Sequence, residues 1–96
     1  MKSLGLVEVS GVVAAVDALD IMCKSSNVTF VTWERKLGGR LVTIIVTGDV
    51  SDVTEAVECV KRSAATPPCA SYVIANPHEE TMRMVELSAS RLKKKN

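Results

Sequence analysis

Apolar residues run almost without a break from Leu4 to Val9 and stop at Ser10-Gly11, which predicts a short strand. Ser10 then suits a helix cap. Val12, Val16, Leu19 and Cys23 recur at helical spacing and predict one buried stripe. Asp17, Asp20 and Lys24 fall off that stripe, and Asp20 with Lys24 is an i,i+4 pair in the favourable order. The helix ends near Ser25-Ser26-Asn27. Two β-prone runs follow, 28–33 and 41–47, and their spacing makes a hairpin. In the second run Val42, Ile44 and Val46 share one face, while Thr43, Ile45 and Thr47 share the other. The first face is expected under helices. Asp49 or Ser51 can cap the next helix, whose stripe is Val53, Val57, Val60 and Ala64. Thr66-Pro67-Pro68 stops it. Residues 70–75 read as a further strand. Asn76-Pro77-His78-Glu79 reads as a helix start, with Asn76 as cap, Pro77 at the first helical position and Glu79 three after the cap. A last amphipathic helix carries Met82, Val85 and Leu87 and fades into Arg91-Leu92-Lys93-Lys94-Lys95.

The predicted order is β-α-β-β-α-β-α. This is an α+β chain: a four-stranded antiparallel sheet with helices on one face, in the ferredoxin-like split βαβ arrangement. Two helices are expected to cover that face. Residues 1–90 form the domain and 91–96 a basic, solvated tail. No repeat or low-complexity linker divides the chain.

Composition narrows the function classes. The 96 residues suffice for one modest core, which assembly with other copies would enlarge. Aromatics make up 3% and net charge is +1, which argues against nucleic acid as a partner. No apolar run approaches the roughly 20 residues of a membrane span, and the N-terminal segment lacks the apolar core of a signal peptide. A cytosolic setting is expected. Cys23, Cys59 and Cys69 show no metal spacing and read as small buried hydrophobes.

Chemistry-bearing patterns are sparse. His78 is the single histidine and sits at a helix start, where packing or a hydrogen bond accounts for it; a dyad with Cys69 or Cys23 stays open on the sequence. Glu79-Glu80 complement a helix dipole. No catalytic set, metal site or cofactor is expected. The distinctive segment is Trp33-Glu34-Arg35-Lys36-Leu37-Gly38-Gly39-Arg40, a basic, glycine-centred turn between strands, suited to presenting backbone amides and positive charge to an anion.

An ordered set of short segments resembles a known family. Residues 4–11, Ala14-Ala15 with Asp17-Ala18 and Asp20-Ile21-Met22, Lys24-Ser25-Ser26-Asn27-Val28, Lys36-Leu37-Gly38-Gly39, Leu41-Val42-Thr43 leading to Gly48-Asp49-Val50, and Ile74-Ala75-Asn76-Pro77-His78 are similar to bacterial microcompartment shell proteins of the single-domain, hexamer-forming kind. The resemblance spans residues 3 to about 85. It implies a non-enzymatic subunit of a cytoplasmic microcompartment shell. Such a subunit forms a cyclic homo-hexamer that tiles with other shell proteins around encapsulated enzymes. It implies that Leu37, Gly38, Gly39 and Arg40 frame a central pore for small anionic or polar metabolites, and that Lys24, Asn27, Asn76 and His78 lie at the hexamer edge.

The chain departs from the family pattern at three places. Arg35 interrupts the aromatic-Glu-Lys order. Gly38-Gly39-Arg40 replaces the Gly-Ser-Gly tip. Ala75-Asn76-Pro77-His78 replaces Pro-Arg-Pro-His, so the arginine that reaches into the adjoining hexamer is absent. The alternative reading is a small-metabolite sensor domain with ligand at a subunit interface; size and ligand-induced stabilisation separate the two.

Overall fold

Residues 41–47 alternate an apolar set, Val42, Ile44 and Val46, with a mixed set that includes Thr43, Ile45 and Thr47, and that alternation decides the layering. In the computed structural model, which describes residues 2–35 and 40–94, the elements are β1 (Ser3–Ser10), α1 (Val12–Ser25), β2 (Thr29–Arg35), β3 (Leu41–Gly48), α2 (Val50–Ser63), β4 (Ala70–Ile74) and α3 (Glu79–Lys94). The strands form one antiparallel sheet in the order β2-β3-β1-β4. β1 and β3 are central, and β2 and β4 are the two edges.

Val42, Ile44 and Val46 face α1 and α2, as expected, in a core with Val7, Val9, Met22 and Val60. Ile45 points the other way and packs with Leu4 and Val85. Two helices therefore cover one face, and α3 lies across the opposite face from β4 towards β2. Gly5 on β1 lies under α2 at close range: an added Cβ would sit 2.7 Å from Val53 Cγ1. The absence of a side chain there lets helix and sheet approach.

Several local expectations are corrected. The buried stripe of α1 is Ala15, Ala18 and Met22, while Val12, Val16 and Cys23 are exposed. Both stripes have helical spacing, and packing selects the one with alanines facing the sheet. Ser10 is the last residue of β1. The residue before α1 is Gly11, whose φ of 103° excludes most side chains and whose N–H donates to the Arg40 carbonyl at 2.7 Å. Asp49 precedes α2, but its side chain makes no capping bond. α3 begins at Glu79, not at Pro77. His78 caps it, its Nδ1 accepting from the Glu80 N–H at 3.0 Å, and Asn76 is a left-handed turn residue with φ 51°. Leu87 is exposed, and Ser88 is buried instead. Cys23 and Cys69 are exposed and Cys59 is half-buried, so the thiols are not core residues.

β2 contains a bulge. Thr29 and Phe30 pair with Thr47 and Val46, and Thr32 pairs with Ile45, leaving Val31 as the extra residue. The insertion shifts the alternation, so Phe30 and Trp33 share the α1 face although three positions apart. Val31 and Thr32 turn to the α3 face.

Candidate functional site

The registers sort the loops to the two ends of the sheet. Ser10 pairs with Leu41 and Glu8 with Ala70 at one end; Ser3 pairs with Gly48 and Leu4 with Ile74 at the other. The segment joining β2 to β3 leaves from the first end. Leu37, Gly38 and Gly39 lie outside the described residues. Arg40 is exposed, and its carbonyl accepts from Gly11, which ties the exit of the hairpin to the start of α1.

Lys24, Asn27, Asn76 and His78 belong to the second end. Lys24 is in the last turn of α1 and pairs with Asp20 at 3.0 Å, both side chains well exposed. Asn27 lies on the α1–β2 connection and lines a shallow cleft of about 190 Å³ with Lys2, Asp49 and Asp52. Asn76 and His78 are exposed on the β4–α3 connection. Arg40, the described member of the other set, thus stands at the opposite end of the sheet from these four.

The dyad of His78 with Cys69 does not form. Cys69 precedes β4 and His78 follows it, so the length of the strand separates them and rules out that dyad. His78 uses Nδ1 as a helix cap, the structural role its position suggested. Among the described residues no group of three or more His, Cys, Asp or Glu side chains could hold a metal ion, and no helix is long and apolar enough to cross a membrane.

Two clefts flank the β2 edge and were not anticipated. One, about 330 Å³, is apolar and lies between α1 and β2, with Val16, Leu19, Phe30, Trp33 and Leu92 on its walls. The other, about 270 Å³, is lined by Trp33, Glu34, Arg35, Ser88, Arg91 and Leu92. Helix α3 runs through the expected tail boundary and ends at Lys94, so Arg91 and Leu92 are helical; Arg91 lines the second cleft and Leu92 lines both. Ser88 and Leu92 stand three and seven positions beyond Val85, a helical repeat that carries the signal in the sequence.

The model of the BMC domain family matches residues 3–77, from the first residue of β1 to the turn before α3. The chain belongs to the BMC domain family. This BMC domain is 40% identical over 86 residues to the bacterial microcompartment shell protein PduA of Citrobacter freundii, covering 88% of this chain and 91% of that protein. It is 41% identical over 81 residues to the carboxysome shell protein CcmK2 of Synechococcus elongatus, covering 80% and 78%. A crystal structure of a microcompartments protein from Desulfitobacterium hafniense DCB shares the fold, with a TM-score of 0.77 at 25% identity, and is covered over 48% of its length by 92% of this chain. Helix α3 lies beyond the residues the BMC domain model matches.

Proposed function

We propose that this BMC domain chain is a structural shell subunit of a bacterial microcompartment in the cytoplasm, acting by assembly and selective passage and not by catalysis. The observation that carries this reading is the 40% identity to a shell protein over nearly the full length of both chains. In this reading the subunit forms a cyclic homo-hexamer that meets other shell proteins in the facet and encloses enzymes. Residues 37–40 frame a central pore for small anionic or polar metabolites. Lys24, Asn27, Asn76 and His78 sit at the tiling edge.

The exposed apolar surface supports a ring. A head-to-tail ring needs two different patches on opposite sides of each subunit. One sheet edge carries Val16 and Phe30, with Val13 one turn away and 85% exposed; the other carries Tyr72, 65% exposed, and Val73. Neither patch is self-covered. The placement of Arg40 at the opposite end of the sheet from Lys24, Asn27, Asn76 and His78 also supports separate pore and edge roles.

Light scattering tests the reading. A mass of about six times the 10.3 kDa chain is expected at micromolar concentration. A monomer at every concentration would overturn it.

A further inference from the structure

The cleft between β2 and α3 is built around one oriented carboxylate. Thr32 is fully buried and Ser88 is 8% exposed. The Ser88 hydroxyl donates to the Glu34 carboxylate, and the Thr32 and Ser88 oxygens lie 3.1 Å apart. A serine hydroxyl has one proton, so with that proton on Glu34 its oxygen accepts from Thr32. The relay runs Thr32 to Ser88 to Glu34 and fixes one carboxylate oxygen, leaving the other to the cleft.

Two arginines and an apolar wall complete the lining of that cleft. Arg35 and Arg91 line the same cleft, and among the described residues neither is in an ion pair, whereas Arg62 and Arg83 are both paired with glutamates. Trp33 and Leu92 are half-buried and supply the wall. The cavity of about 270 Å³ is just below the usual range for small-molecule sites and suits a ligand of a few carbons. Ser88, Arg91 and Leu92 all come from α3, beyond the residues that the family model matches.

From this arrangement we infer that the β2–α3 cleft binds a small hydroxy-carboxylate. The ligand's carboxylate takes the Arg35 and Arg91 guanidiniums, which suit planar oxyanions. Its hydroxyl donates to the free oxygen of Glu34, which a plain anion would meet only with repulsion. Its carbon body lies against Trp33 and Leu92. The site is separate from the residues assigned to the pore and does not rest on the ring reading.

Trp33 is the single tryptophan of the chain, so its emission reports the cleft directly. L-malate is the probe, with succinate, which lacks the hydroxyl, and sodium sulfate as comparators at matched ionic strength. The expected result is a saturable change of Trp33 emission with malate in the millimolar range, and about tenfold weaker binding of succinate. Arg91→Ala and, separately, Arg35→Ala weaken malate binding about tenfold with an unchanged thermal midpoint. Glu34→Gln brings malate and succinate together. No saturable response to malate overturns the inference. So does an equal response to sulfate, or full binding by both arginine variants. Light scattering on the same sample keeps the two readings apart: binding without a hexamer leaves the cleft standing and sinks the ring.

Discussion

Gly5 has an ordinary extended backbone, so the reason for glycine there is space. A methyl group would meet Val53 Cγ1 at 2.7 Å, Val46 Cγ2 at 3.2 Å and Val57 Cγ2 at 3.3 Å. Gly5→Ala is therefore expected to destabilise the chain by about 1–3 kcal/mol through overpacking, read as a lower denaturant midpoint at unchanged slope. Ser88→Ala removes the partner of a fully buried hydroxyl. A cost of about 1–3 kcal/mol is expected in the same measurement, because Thr32 then lacks a good acceptor. Lys24→Ala should leave stability alone and act on assembly. Its exposed pair with Asp20 is worth about 0–1 kcal/mol, so the melting midpoint stays while sheets or tubes of assembled rings are lost under electron microscopy. Tiling by that variant equal to the parent would remove Lys24 from the edge.

Truncation after Ser90 separates a solvated tail from a packed helix end. The last helical turn contributes Leu92 to the walls of both clefts, so its removal should lower stability by about 1 kcal/mol and shift Trp33 emission to longer wavelength. An unchanged spectrum would restore the tail to solvent. The elements themselves were largely legible in the sequence. β3 and α2 could be phased because polar residues occupy the alternative faces: Thr43 and Thr47 opposite Val42 and Val46, Glu55 and Glu58 beside Val53 and Val57. α1 could not, since apolar residues stand at both 12, 16, 19 and 23 and 15, 18 and 22, and periodicity carries no preference between two good stripes. The bulge at Val31 left no local mark in the sequence; it shows only in the pairing of β2 with β3. The β2–α3 cleft was illegible because its polar relay joins residues more than fifty positions apart. Lys24, Asn27, Asn76 and His78 were named by resemblance, and only the strand registers put them at a common end.

At the scale of the whole molecule, the proposed ring would use the two unlike apolar edges of this small domain, one for each neighbour. Placing a charge in one of them should block closure without unfolding the subunit. Val16→Asp is expected to retain its fold, since the side chain is 61% exposed, and to shift the scattering mass towards one chain. A variant that stays at the parent mass would move the contact elsewhere on the surface. The exposed thiols make such contacts open to direct chemical readout. Cys23 adjoins Lys24 at the second end of the sheet, Cys69 opens β4 at the first, and Cys59 is half-sheltered on α2. A thiol reagent should thus modify two sites quickly and one slowly. A maleimide dye at Cys23 and another at Cys69 would watch opposite ends of the same protein as copies meet, so native cysteines give this chain a pair of spectroscopic handles without any engineering.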